Sequence, residues 1–171
     1  IALNHAHIGK SVTGRALVTL PTHFGHGLIG NALTPLFAGG EIVLAPRGLG
    51  LAKELGRLID AERITFMSSV PTLWRMALKL SNPPTGGTLA RVHVGSAPLS
   101  SALWQDIAGW SSAETVNCLG ITETSNWIGG ASSVKDGIED GFVGRPWGGS
   151  VAVRLDDGRI LSHGEGEIVV Q

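Results

Sequence analysis

Ile64 to Ser100 reads ITFMSSVPTLWRMALKLSNPPTGGTLARVHVGSAPLS, and its order of elements decides the fold. Ile64 to Ser68 is a short apolar run of strand length. Pro71 stands in the first turn of a helix, where a missing amide hydrogen costs nothing, and Thr72 to Leu80 continues with helical period. Ser81 to Gly87 (SNPPTGG) is a loop, because Pro83 and Pro84 lack amide donors and the glycine pair favours turning. Arg91 to Val94 is a second strand, and it runs into the small-residue stretch Gly95-Ser96-Ala97-Pro98. A strand, a helix and a second strand of this spacing predict a parallel pair joined by a crossover helix.

The same alternation extends on both sides. Strands are predicted at Ala16 to Leu20, Glu41 to Ala45 and Thr115 to Cys118, and helices at Leu28 to Phe37 (stopped by Gly39-Gly40), Leu51 to Glu62 and Ser101 to Trp110. Leu51, Leu55, Leu58 and Ile59 recur at i, i+4, i+7 and i+8, one apolar stripe that covers a sheet face. After Trp127 the pattern changes to short strands separated by Gly, Asp and Pro: Val151 to Leu155, a turn at Asp156-Asp157-Gly158, then a strand from Glu167 that the sequence ends within, at Gln171. The expectation is an α/β fold, a mostly parallel sheet with helices on both faces followed by a short antiparallel β segment. Lys, Asp, Gly and Glu cluster near Asp136 to Gly141, so residues 1–137 are read as an α/β subdomain and residues 138–171 as the start of a β-rich one. Opening without a basic leader and stopping inside a strand, the sequence reads as a piece of a longer polypeptide. There is no internal repeat and no low-complexity tract.

Composition narrows the function. The 171 residues are 43% hydrophobic and 16% charged, which fits a compact domain able to bury a core without staples. Cys118 is the only cysteine, so neither an intrachain disulfide nor a thiolate-rich zinc cluster is possible. A formal charge of -1 argues against a partner made of phosphate backbone, so no nucleic acid is expected. Arg15 to Glu41 brackets 25 uncharged residues, but Pro21, Pro35, His23 and His26 interrupt them, and a buried amphipathic segment is favoured over a membrane span. The 25 glycines suggest tight turns or backbone surfaces approached by a ligand.

Several motifs fall away on inspection. Gly48-Leu49-Gly50 opens a helix as a dinucleotide fingerprint would, but the third small residue is replaced by Lys53, and Ile64 to Ser68 ends without a ribose-binding acid. Gly9-Lys10-Ser11 would need a glycine at Asn4 and a preceding strand to be a phosphate loop. The pairs His5/His7 and His23/His26 have metal-compatible spacing without an obvious third ligand, and no G-x-S-x-G elbow supports a serine hydrolase.

Two stretches remain. Gly95-Ser96-Ala97-Pro98 leaves backbone donors and acceptors open to a flat ligand at the carboxyl edge of a parallel sheet. Gly120 to Ser125 (GITETS) follows the next strand, so both loops should face one crevice. Its glycine permits close approach, its threonine hydroxyl can donate to a phosphate oxygen, and its carboxylate can hold a magnesium ion. The same residues also read as a capped helix start, with Thr122 or Thr124 as the cap.

Leu119 to Ser125 (LGITETS) resembles the signature of AMP-forming adenylating enzymes: acyl-CoA synthetases, aryl-acid ligases, beetle luciferases and nonribosomal peptide adenylation domains. Further stretches follow in that family's order: Pro21 to Gly27 (PTHFGHG), Val70 to Trp74 (VPTLW), Gly95 to Ser100 (GSAPLS), Gly144 to Pro146 (GRP) and Gly164 to Val170 (GEGEIVV). Together they span nearly the whole sequence and imply the central and late parts of the family's large N-terminal domain.

The resemblance implies an ATP-dependent acid-thiol ligase. Thr122 matches the threonine that contacts the α-phosphate, and Glu123 the acid that binds Mg2+. Gly95, Ser96 and Ala97 match the segment lying along adenine and bordering the acyl pocket, with Leu119, Gly120 and Ile121 completing the nucleotide site. Phe24 falls on the residue that gates the carboxylate, His23 competes for that role, and His26 and Trp127 would shape the acyl tunnel. The implied reaction joins a carboxylic acid to ATP as an acyl-adenylate and then transfers the acyl group to coenzyme A or to the phosphopantetheine thiol of a carrier protein, in the cytoplasm. The remainder of the polypeptide would supply a phosphate loop and a C-terminal domain with a lysine, so this fragment alone is expected to be inactive. Leu119 stands where an adenine-stacking aromatic is usual. Gly25 stands where amino-acid-activating relatives carry an aspartate, and an unpaired ammonium in a dry pocket is costly, so a fatty or aryl acid is favoured. The alternative reading is a non-catalytic nucleotide-binding relative or interaction module.

Overall fold

A computed structural model describes residues 1–46 and 48–170. Helix α1 (Ala2–Ile8) and a 3-10 turn (Val12–Gly14) precede strand β1 (Arg15–Val18). A π-helical segment (His26–Leu33) runs into α2 (Thr34–Phe37), followed by β2 (Glu41–Leu44), α3 (Leu49–Ala61), β3 (Phe66–Ser69), α4 (Pro71–Leu80), β4 (Arg91–Val94), α5 (Ser101–Ser111) and β5 (Glu114–Gly120). A second 3-10 turn (Thr122–Thr124) leads to β6 (Trp127–Ser132) and β7 (Arg145–Pro146), and then come β8 (Val151–Arg154), β9 (Ile160–Leu161) and β10 (Glu167–Val170). Gln171, read from sequence as the end of the last strand, lies outside the described residues.

Seven strands form one sheet in the order β2-β1-β3-β4-β5-β6-β7. The first five are mutually parallel, and β6 and β7 add an antiparallel edge. A separate antiparallel sheet has the order β10-β8-β9. This is the α/β architecture expected from the sequence. The first sheet takes Arg145–Pro146 as its last strand, and the second begins at Val151.

Alternation along the strands assigns the two faces. Leu17, Met67, Val92 and Val94 point to the face covered by α3, α4 and α5, where they meet Leu51, Leu55, Ile59, Trp74, Trp104 and Ile107. Burying a Leu or Ile fully contributes about 1.5–3 kcal/mol, so the stripe of α3 is enough to fix that helix on the sheet. Ala16, Phe66, Val116 and Cys118 point to the opposite face, with Ile8 of α1, Trp127 and Trp147. Helices therefore cover both faces. Strand β3, central in the sheet, is buried at all four positions, as a strand packed on both faces must be.

Helix ends follow local chemistry. Pro71 opens α4, and Ser100 caps α5 by accepting from the Leu103 amide at 3.4 Å. The segment read as one helix from Leu28 to Phe37 begins earlier, at His26, and winds wider: the Thr34 amide reaches the Ile29 carbonyl, five residues back. Glycine makes this possible, since a Cβ on Gly27 would sit 1.9 Å from the Pro21 carbonyl oxygen. Among the described residues no helix is long and apolar enough to cross a membrane.

Candidate functional site

The strand order β2-β1-β3-β4-β5 reverses direction between β1 and β3. In open α/β sheets the crevice outside the carboxyl ends at such a reversal is where ligands bind. Here the segments leaving β1, β3, β4 and β5 converge at that edge. Their registers align Val18 with Ser68, Ser69 with Val94 and Val94 with Asn117.

His26 lies at the centre of this edge. It opens the π-helical segment after β1 and is buried. Its Nε2 lies 2.6 Å from the Ser68 hydroxyl at the end of β3, and its Nδ1 lies 2.8 Å from the Ser96 hydroxyl after β4. Burial lowers its pKa to about 4, so the ring is neutral at physiological pH, with one nitrogen donating and the other accepting. The Ser68 carbonyl accepts from the Thr19 hydroxyl at 2.7 Å and from the Asn31 amide at 3.0 Å, so the exit of β1 and the π-helical segment are both tied to the end of one strand.

Two backbone positions beside His26 adopt left-handed conformations without being glycine: Ser96 at φ 65 and Ser125 at φ 68. Such positions persist only where the surroundings hold them, and the bond from His26 supplies that hold at Ser96. The third constraint is Gly120, whose strand partner is Trp127 across a bulge between Leu119 and Gly120. A Cβ there would come within 2.5 Å of the Asn126 carbonyl oxygen, so the returning strand β6 closes on bare backbone.

The result is a cleft of about 240 Å³ bounded by Phe24, Gly25 and His26 on one side and by Gly120, Ile121 and Thr122 on the other, with Ser96, Ser125, Asn126 and Trp127 completing it. A second cavity of about 460 Å³ adjoins it, sharing Ser96 and Gly120. Its walls are Ala97, Pro98, Leu99, Cys118, Leu119 and Val143, mostly apolar and suited to a flat ring system.

The sequence-predicted residues divide as follows. Phe24, His26, Ser96, Gly120, Ile121, Thr122 and Trp127 share the first cleft, and Ala97 and Leu119 line the second. Gly95 lines neither cavity; a Cβ there would lie 3.1 Å from the Cys118 carbonyl oxygen and 3.7 Å from the indole nitrogen of Trp127. His23 and Glu123 are exposed and line neither cavity. In the 3-10 turn it is Thr124 that caps. Its hydroxyl accepts from the Ile121 amide at 3.4 Å and lies within donating distance of the Ile121 and Asn126 carbonyls, which leaves Thr122 exposed at the cleft.

Ser68 and Asn126 also belong to the site and were not singled out from sequence, whereas Ser125 closes the GITETS stretch that was. Ser68 had a readable signal, a serine pair ending an otherwise apolar strand. Asn126 is buried with its side-chain amide nitrogen unpaired among the described residues. No group of three or more His, Cys, Asp or Glu among the described residues could hold a metal ion.

No curated protein matches the chain at a significant level. Solved structures do. O-succinylbenzoate coenzyme A synthetase (MenE) from Bacillus subtilis, in complex with ATP and magnesium, superimposes with a TM-score of 0.79 at 21% identity, over 98% of this chain and 34% of that one. Anthranilate CoA ligase AuaEII in complex with anthranoyl-AMP gives 0.80 at 22% identity, over 97% and 34%. The N-terminal domain of FACL13 from Mycobacterium tuberculosis gives 0.75 at 26% identity, over 90% and 39%. The chain thus spans about a third of the length of these proteins. A family model described as AMP-binding enzyme matches residues 2–171, and by that match, which runs through the ordered motifs and the crevice they build, the chain belongs to the AMP-binding enzyme family.

Proposed function

We propose that the protein containing this chain activates a carboxylic acid with ATP to an acyl-adenylate and passes the acyl group to a thiol, coenzyme A or a carrier phosphopantetheine. The observation that carries this is the pair of adjoining cavities sharing Ser96 and Gly120, one with apolar walls and one with a threonine hydroxyl and an aromatic rim. A base fits the apolar-walled cavity, along Gly95, Ser96, Ala97 and Leu119. The α-phosphate and the incoming carboxylate fit the other cleft, between Thr122 and Phe24.

In that arrangement a carboxylate oxygen attacks the α-phosphorus, and the bond to pyrophosphate breaks. The thiolate then attacks the acyl carbon and AMP leaves. The chain's own residues position the groups: Thr122 donates to an α-phosphate oxygen, Phe24 shields the approaching carboxylate from water, and the neutral His26 fixes the Ser96 loop. Glu123, a single exposed carboxylate beside Thr122, suits Mg2+, which takes one or two carboxylates along with substrate phosphates and keeps several waters. When bound, that ion screens the charge of the triphosphate.

The cleft lining contains no acid, and Gly25 lends none, so an ammonium would go unpaired. This supports a fatty or aryl acid. The cytoplasm, where ATP and coenzyme A are available, is the proposed location. A phosphate loop and a C-terminal lysine domain in the rest of the polypeptide would complete the site, and residues 138–171 would begin a β-rich subdomain. The test is acid-dependent exchange of pyrophosphate into ATP by the full-length polypeptide. Glu123→Gln and Thr122→Ala should each lower the rate about a hundredfold. Binding of ATP without exchange for any acid would favour the non-catalytic alternative, in keeping with Leu119 in the adenine position.

A further inference from the structure

His93 stands third in β4 and is fully buried, yet neither of its ring nitrogens meets a hydrogen-bond partner among the described residues. Phe66 and Trp127 meet the imidazole edge to face at 5.1 and 4.6 Å, and Trp147 lies tilted at 5.6 Å. These carbon rings fill space but leave the nitrogens unbonded. A buried donor or acceptor without a partner costs about 1–3 kcal/mol, so its place in a packed core asks for a reason. His93 also lines a cavity of about 310 Å³, which runs from this buried ring out to exposed Lys135, Asp136 and Arg145. Arg91 and Glu114, the residues that open β4 and β5, line it too. The cavity therefore lies at the amino end of the strands, and it shares no lining residue with either cavity of the crevice.

The charges of its walls define what fits. Arg91 and Glu114 neutralise each other, Arg91 being held also by the His7 and Ile8 carbonyls and Glu114 by the Ser132 hydroxyl. Lys135 and Arg145 take part in no ion pair among the described residues. Asp136, which accepts from the Ser132 amide at 2.8 Å, is the one acid beside them, so the mouth carries a single excess positive charge. Val116, Gly130 and Trp147 line the cavity as well and supply apolar wall. Burial keeps His93 neutral, with one nitrogen donating and the other accepting, and a hydroxyl or a carbonyl would satisfy it. We infer that this cavity is a second ligand site, for a small monocarboxylate with an apolar body and a hydroxyl or carbonyl at its far end. The carboxylate sits with Lys135 and Arg145, the body along Val116 and Trp147, and the far group on His93. The space equals about ten water volumes of roughly 30 Å³ each, which suits a single-ring hydroxy acid. Nothing in this reading depends on adenylation.

The experiment is calorimetric titration of the full-length polypeptide with 4-hydroxybenzoate, benzoate and 4-hydroxybenzylamine, repeated for the double variant Lys135→Ala, Arg145→Ala and for His93→Leu. Wild type should bind 4-hydroxybenzoate saturably and the amine not at all. The double variant should weaken both acids about tenfold or more, the worth of a lost hydrogen bond to a charged group. His93→Leu should bring 4-hydroxybenzoate down to the affinity of benzoate and leave benzoate itself unchanged. Binding of an acid at the crevice would be untouched by these substitutions, so 4-hydroxybenzoate that binds the double variant as tightly as wild type overturns the inference. So does the lack of saturable binding to wild type, the outcome expected if another part of the polypeptide fills the cavity, and so does an amine that binds as tightly as the acid. Lys135 and Arg145 are exposed, so the double variant decides the matter even if His93→Leu fails to fold.

Discussion

The Nδ1 of His26 lies 2.8 Å from the hydroxyl of Ser96, and this bond holds a left-handed serine in the loop after β4. A non-glycine residue at φ 65 costs about 1–2 kcal/mol relative to the right-handed region, comparable with the net worth of the hydrogen bond. The two effects separate by mutation. Ser96→Ala keeps the strained backbone and loses the bond, so its urea midpoint should correspond to about 1 kcal/mol less stability than wild type. Ser96→Gly loses the bond but relieves the backbone and should fall close to wild type. Equal losses in both would show that the backbone is not strained there.

His26 also sets a pH dependence. Burial lowers its pKa to about 4, so below the ordinary histidine value of roughly 6.5 the unfolded chain takes up a proton that the folded chain refuses. Stability is full above that value and declines as pH falls toward 4, by about 3 kcal/mol for the whole interval. His93, fully buried, is shifted in the same direction by burial, with Arg91 and His26 adding to it. Denaturant titrations from about pH 7.5 to about pH 4.5, which cover most of the interval between the unfolded and folded values, should show a steeper decline for wild type than for His26→Gln. Parallel curves would remove His26 as a contributor.

The parallel strands were legible because each is an apolar run between punctuating glycines and prolines, and all five were read within two residues of their observed ends. The antiparallel strand β6 was not. Its sequence, WIGGAS, has neither alternation nor β-branched bulk beyond Ile128. Contacts that no pattern announces build it: a Cβ on Gly129 would lie 2.7 Å from the Arg145 carbonyl oxygen, and one on Gly130 2.6 Å from the Trp147 ring. The π-helical winding was equally silent, because glycines at 27 and 30 look like weak helix positions until Pro21 and Trp127 are seen against them. In the site, hydroxyl and glycine positions could be read from spacing, whereas Asn126 enters only when the turn after β5 closes against Gly30 of the π-helical segment. His93, a lone histidine between two valines, gave no sign that it would be enclosed by Phe66, Trp127 and Trp147.

Gly120 is required by proximity. The Asn126 carbonyl oxygen lies 2.5 Å from where a Cβ would be, and the Trp127 Cα 2.9 Å. Both are backbone atoms, so relief needs movement of β6 as a whole. Gly120→Ala should cost about 1–3 kcal/mol, the range for overpacking, and should lower ATP affinity because the same backbone borders both cavities. Thermal melts and nucleotide titration check the two effects. A variant with an unchanged melting temperature would mean that the bulge at Leu119/Gly120 can open freely.

Far from the crevice, Arg91 and Glu114 pair at the opposite ends of β4 and β5. Glu114 Oε2 accepts from Arg91 Nη2 at 2.6 Å, and its Oε1 accepts from the Ser132 hydroxyl at 2.7 Å. Arg91 Nη1 donates to the carbonyls of His7 and Ile8 at 3.0 and 3.3 Å, so the pair also anchors α1. Burial opposes ionisation of Glu114, but the Ser132 hydroxyl and the Arg91 guanidinium outweigh it and hold the carboxyl below the usual range. The stability it contributes is present at neutral pH and is lost only as pH falls through that lowered value. The side chains are 12% and 19% exposed, so solvent screens the pair little. Removing one partner leaves the other charge poorly solvated. Glu114→Gln should therefore destabilise by about 3 kcal/mol, whereas the double variant Arg91→Met, Glu114→Leu should recover part of that loss, because an apolar pair carries no desolvation cost. Thermal unfolding of the three proteins measures this, and a double variant less stable than Glu114→Gln would show that the anchoring of α1 by Arg91 outweighs the desolvation of the pair.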